Sequence, residues 1–152
     1  PITTGDSLKY LRLAFRRLRA AASRTDRGDQ LVDYVIALES LLATDSLRLE
    51  TTFRIRLRGA ALLSSRFGSP RERMSLLARI YDLRSKVVHG NADIDKVLDI
   101  LPQAEDVLRD IFVWYLLDRR GHRSVESIRD KLDEELVSGG ERWARGTEAS
   151  DS

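Results

Sequence analysis

The sequence has no cysteine, two histidines, three prolines and nine glycines in 152 residues. Without cysteine there is no disulfide framework, no thiolate nucleophile and no Cys-ligated zinc or iron–sulfur centre. Two histidines without an HxxxH pairing argue against a His-based metal site, so no metal and no cofactor is expected. Long apolar runs are missing too. The longest is Ile111–Leu117, seven residues, far below the ~20 a membrane-spanning helix needs. There is no signal-peptide pattern, because Lys9, Arg12, Arg16 and Arg17 interrupt the first apolar stretch. The expectation is a cytoplasmic protein with no membrane partner. Opening on Pro1 rather than Met, the chain reads as a domain cut from something longer.

What is present is 42% hydrophobic and 33% charged residues, with 26 Lys+Arg against 24 Asp+Glu. That length fits one domain able to bury roughly two-thirds of its unfolded surface. The net charge of +2 hides a division. Residues 1–90 carry 17 basic and 9 acidic side chains, a net of +8, and residues 91–152 carry 9 and 15, a net of −6. Such polarity fits a basic face for an anionic partner, self-association through complementary faces, or an accident of an Arg-rich composition.

Apolar residues recur at three and four throughout, so the chain reads as all-α, a bundle of about five to seven helices. The first helix is expected over Ser7–Ala22, capped by Asp6, with Leu8, Leu11, Phe15 and Leu18 as its stripe. A second is expected over Asp29–Ala43 and a third over Leu47–Arg66. Ser69-Pro70-Arg71-Glu72 has the form of a capping box with Pro at the first position, starting a helix over Pro70–His89 that Gly90 stops. Asn91–Ile100 is expected as a short helix or turn. Pro102 starts the next helix, through Arg119, and Ser124–Val137 makes the last one. Residues 1–138 form a single domain on this reading, and residues 139–152 a disordered tail.

Three charged residues fall on apolar faces. At 100° per residue, Arg84 lies mid-arc among Leu76, Leu77, Ile80, Tyr81, Leu83, Val87 and Val88. Glu39 lies in the same way among Leu31, Val32, Val35, Ile36, Leu38 and Leu42, and Arg58 among Ile55, Leu57, Ala61 and Leu62. An unpaired buried charge costs several kcal/mol. Glu39 is therefore expected to bond Arg84 or Arg58, either to fix helix register or to orient an Arg that binds phosphate.

Tyr81-Asp82-Leu83-Arg84-Ser85-Lys86-Val87-Val88-His89-Gly90 reads as Arg, four residues, His, then Gly at a helix end, about 45 residues after Ala37-Leu38-Glu39-Ser40-Leu41-Leu42. This combination resembles the HEPN superfamily, most closely its Apea-like branch, over roughly Leu8 to Leu117. The resemblance implies an all-α bundle that pairs into a homodimer. Many such proteins are metal-independent endoribonucleases of toxin–antitoxin or antiviral-defence systems. Others are non-catalytic dimerisation, RNA-binding or partner-binding modules, and a cognate antitoxin or other protein partner is possible on either reading. In active members the motif Arg and His line a cleft at the dimer interface, which here puts Arg84 and His89 in the catalytic positions. The residue after the motif Arg is Ser85, typical of the Apea-like branch, where catalytic members often carry Asn, Asp or His.

The chemistry stands beside the resemblance. Cleaving RNA with its own 2′-hydroxyl needs a group to take that proton and another to protonate the leaving 5′ oxygen. Imidazole suits either role. A permanently charged Arg suits the anionic phosphorane. Ser85 is one turn from His89 and within reach of its ring, and Lys86 is a further cation near the motif. Glu39 and Arg58 would support Arg84. Two basic groups are candidates for a nucleic-acid backbone: Lys9, Arg12, Arg16 and Arg19 on the first helix, and Arg119 and Arg120 with Arg123 beyond the fifth. Residues 111–117 are apolar around the whole helix, which points to self-association with Trp114 or Tyr115 as anchors, or to a well-packed core helix.

Overall fold

The architecture is built around one helix. Asp26 accepts a hydrogen bond from the Asp29 backbone N–H and starts α2, Arg27–Leu42. This helix packs against the four others, α1 (Thr4–Ala22), α3 (Thr51–Leu62), α4 (Pro70–Val88) and α5 (Ile94–Leu117). Its Leu31, Val35, Ala37, Leu38, Leu41 and Leu42 are completely buried. The structure is a computed structural model and describes residues 4–43, 51–117 and 129–134, the last of these helical. It is an all-α bundle, with no strand among the described residues. No helix among them is long and apolar enough to cross a membrane.

Local signals place several boundaries. The capping box at Ser69 and Glu72 forms in both directions, with Pro70 in the first turn. At the other end of α4, Asn91 N–H bonds the Lys86 carbonyl and Gly90 N–H bonds the Val87 carbonyl. Gly90 sits at φ +72°. This is a Schellman ending, which needs a left-handed residue at that position.

Other boundaries differ from the sequence expectation. α1 begins at Thr4, so Asp6 lies inside it rather than capping it. α3 ends at Leu62, short of Arg66, and Ser65–Phe67 form a 3-10 turn. The cause is Asp110 on α5, which accepts both the Ser64 N–H (2.9 Å) and the Ser64 hydroxyl (3.0 Å) and pulls the chain off the helical path. Pro102 does not start a helix but lies inside α5. The carbonyl it deprives of a donor is that of Leu98, a residue on the exposed side of the helix. The buried stripe Val97, Ile100, Leu101, Ala104, Val107, Leu108 and Ile111 runs past the proline unbroken. Most of the expected last helix and the whole 139–152 tail lie outside the described residues, as do Leu47–Glu50 at the start of the expected third.

Trp114 and Tyr115 are core residues, 5% and 8% exposed, in edge-to-face contact with each other. They are not anchors for a second copy. The exposed part of that segment is Val113, Leu116 and Leu117. Phe15 is half exposed rather than central to a buried stripe, because Ala14 and Ala21 carry α1 into the core. Its ring meets Phe112 at 6.2 Å between centroids.

Candidate functional site

Three helices meet at Gly59. A Cβ there would lie 3.0 Å from Leu77 Cδ1 and 3.3 Å from Leu42 Cδ1. A Cβ at Gly28 would lie 2.9 Å from Val87 Cγ1, so α4 runs antiparallel to α2. It also runs antiparallel to α3, since Arg73 reaches back to the Ala60 carbonyl. One turn from the Gly59 contact, on the same faces, stand Glu39 (three before Leu42), Arg56 (three before Gly59) and Tyr81 (four after Leu77). Arg84 follows Tyr81 by three. The antiparallel arrangement makes these offsets point the same way along the bundle, so the four residues form one cluster.

The electrostatics agree with this geometry. Burial raises the Glu39 carboxyl above its ordinary range, and the positive charge of Arg84 only partly offsets it. Burial likewise pushes the Tyr81 hydroxyl well up; the field of Glu39 adds to this, while Arg84 and Arg56 oppose it. Glu39 and Arg84 are therefore neighbours, as the helical-wheel reading requires. They are not bonded: among the described residues no hydrogen bond or ion pair joins Glu39 to Arg84 or Arg58. The expected pairing is thus corrected. Arg58 is spent elsewhere, donating through Nε and Nη2 to both carboxylate oxygens of Asp133 (2.8 and 2.6 Å) and through Nη1 to the Leu42 carbonyl (2.6 Å).

A carboxyl whose pKa is raised on folding holds its proton longer in the native state. From the ordinary value of 4.5 upward through the raised value, stability falls with pH and then stays lower. Glu39→Gln should flatten that slope and leave the protein at pH 7 at least as stable as wild type. Urea unfolding at pH 4 to 7 checks this. An unchanged slope would mean that Glu39 is hydrated.

His89 does not join the cluster. It is the C-cap of α4, its N–H bonds the Ser85 carbonyl, and its exposed side chain has no hydrogen-bond partner among the described residues. It stands ~7.5 Å along the axis from Arg84 and about 140° around it. The contact of Val87 with Gly28 puts it at the α2 N-terminal end of the bundle. Ser85 is exposed and makes no side-chain bond to His89. Lys86 pairs with Asp82 at 2.7 Å and lines a groove of about 320 Å³ between α4 and α5, on the side of α4 away from Arg84. Lys9, Arg12, Arg16 and Arg19 are all exposed on α1. Arg119, Arg120 and Arg123 lie outside the described residues.

Two members of the cluster were not apparent from the sequence. Tyr81 counted only as part of an apolar arc, and Arg58 drew attention away from Arg56, two residues and 200° away. The signal that finds both is the common one-turn offset from Leu42, Gly59 and Leu77, which needs the helix pairing to be known first. Among the described residues, no three of His, Asp and Glu are grouped to hold a metal ion. Compared with known proteins, the chain matches no protein-family model, no curated protein and no solved structure.

Proposed function

We propose that the chain is an RNA-directed domain of the HEPN kind, acting as a pair of copies in a toxin or defence system and cleaving RNA without a metal. Arg84 holds the scissile phosphate and His89 moves protons. The observation that carries this reading is Arg84 itself: its Nε is buried and without a partner, and Glu39 stands close without capturing it. A guanidinium kept free in that manner is available to an oxyanion.

In the reaction the 2′ oxygen forms a bond to phosphorus as the bond from phosphorus to the 5′ oxygen breaks. The imidazole takes the 2′-hydroxyl proton, a water molecule protonates the leaving 5′ oxygen, and the imidazolium returns its proton to the hydroxide left behind. Products are a 2′,3′-cyclic phosphate and a 5′-hydroxyl. A single chain has one His89, facing away from its own Arg84. A pair of copies supplies two of each, and His89 of one chain can then serve the phosphate held by Arg84 of the other.

A second reading, a non-catalytic dimerisation, RNA-binding or partner-binding module, is favoured by one observation: His89 sits as an ordinary helix C-cap. The test is incubation with mixed RNA in EDTA, wild type beside His89→Ala. Cyclic-phosphate ends are expected from wild type, and a rate lower by ~10²–10⁴ from the variant. Equal cleavage by both removes His89 from the mechanism. No cleavage by either selects the non-catalytic module.

A further inference from the structure

We infer that Arg56, Tyr81 and Arg84 together form one oxyanion-binding site, walled by Glu39, whose ligand is the tetrahedral phosphate of a phosphodiester. This deepens the reading of Arg84 above and rests on it for the identity of the diester.

The first support is the register. One residue from each of α2, α3 and α4 stands one turn from the Gly59 contact, and Arg84 stands one turn further. The second is unmet hydrogen-bonding capacity. Tyr81 is 8% exposed, and its hydroxyl has no partner. The Nε of Arg56 and the Nε of Arg84 are also buried and unpartnered. More than nine in ten buried polar groups in native proteins are satisfied. Three unsatisfied donors converging on one junction is therefore the signature of a ligand with several acceptor oxygens.

The chemistry fits an anion. Two guanidiniums held together repel, and Glu39 provides one nearby negative charge without bonding either. Two planar forks and a hydroxyl match the oxygens of a phosphate. The Tyr81 hydroxyl stays protonated, since burial opposes its ionisation, and so remains a donor. Glu39 keeps its distance from the phosphate oxygens when ionised and ceases to oppose them when protonated. Arg56 also lies 5.9 Å from the Phe53 ring, a contact that limits its rotamers.

The test uses the full chain, two probes and six variants, one of them Arg84→Gln. The probes are inorganic phosphate, followed by thermal shift, and a fluorescent 2′-O-methyl oligoribonucleotide, which binds without being cleaved, followed by anisotropy. Tyr81→Phe and Arg56→Gln should each weaken oligonucleotide binding about tenfold, the scale of a hydrogen bond to a charged group. Neither should lower the melting temperature of the ligand-free protein by more than about two degrees, because neither buried donor has a hydrogen-bond partner to lose. Arg56→Lys keeps the charge, guards against misfolding, and should recover part of the loss. Glu39→Gln should tighten binding severalfold. Arg71→Gln, an exposed change at the start of α4, should do nothing.

Unchanged affinity in both Tyr81→Phe and Arg56→Gln overturns the inference. So does a loss that follows only a fall in melting temperature. Phosphate binding that depends on Arg56 and Tyr81 without oligonucleotide binding keeps the site and sinks the RNA reading. Oligonucleotide binding that depends on Arg84 alone does the reverse, and binding of neither probe by wild type overturns both.

Discussion

Asp133→Ala should destabilise the protein by ~3–5 kcal/mol, the range for leaving a buried charge without its partner. Arg58 is 1% exposed and spends three nitrogens on two acceptors, the Asp133 carboxylate and the Leu42 carbonyl. The reason for so much buried polarity lies at the end of α2. A helix leaves its last carbonyls without intrahelical donors. In α2 that end is buried, and side chains serve it: Arg58 at Leu42, Tyr115 and Arg129 at Leu41, Arg129 also at Ser40. Residues 129–134 thus close the bundle by polar contacts beside the buried side chain of Leu132. Without Asp133, Arg58 retains its charge and one carbonyl.

Urea unfolding measures the loss, and the melting temperature should fall by about ten degrees for a chain of this size. Asp82→Ala, which breaks the exposed pair with Lys86, should cost no more than about 0.5 kcal/mol and serves as the comparison. The double change Arg58→Met with Asp133→Leu removes the charge together with its partner. It should recover most of the loss, short of the ~1–3 kcal/mol for the unserved Leu42 carbonyl. A cost under about 1 kcal/mol for Asp133→Ala would mean that water reaches Arg58.

The same residues mark the limit of what the sequence discloses. The capping box at Ser69 is written in four adjacent residues and the stop in Gly90 alone, and both appear as expected. Helical periodicity gives the all-α class. Angular position around a single helix identified Glu39, Arg58 and Arg84 as misplaced charges, and all three are indeed wholly or half buried. It could not assign their partners, since an angle around one axis says nothing of the level at which another helix crosses. The partner of Arg58 is 75 residues away. Asp33, buried on the central helix and bonded by both Arg17 (3.0 Å) and Arg24 (2.7 Å), drew no attention for the same reason. Pro102 misled because the local rule was applied without knowing that its face of α5 is exposed. The candidate site follows this pattern: its motif residues are visible in sequence, but their separation, and the involvement of Arg56 and Tyr81, are properties of three helices together.

Mixing Arg84→Ala chains with His89→Ala chains should restore cleavage that neither variant has alone. The argument is geometric. His89 lies about 140° around α4 from Arg84 and five residues further on, so within one chain the two cannot grip the same phosphate without unwinding the helix. Gly90 could permit such unwinding, yet its φ of +72° is already committed to the Schellman ending that fixes His89 in place. On the proposed function, the remaining arrangement would join Arg84 of one copy to His89 of the other. The Arg84→Ala chain should then lose about 10²–10³ in rate, as for one transition-state donor, and the His89→Ala chain about 10²–10⁴, as for a proton-transfer group. In a mixed pair one composite site carries both substitutions and the other carries neither. Random exchange of equal amounts makes half the pairs mixed, and each mixed pair keeps one intact site, so activity should return to about a quarter of wild type for a two-fold assembly. The measurement is the rate of cyclic-phosphate formation against mixing ratio, after unfolding and refolding the two variants together. No recovery, with exchange verified by mass-tagged chains, would place Arg84 and His89 in the same protomer's site and require α4 to open at Gly90.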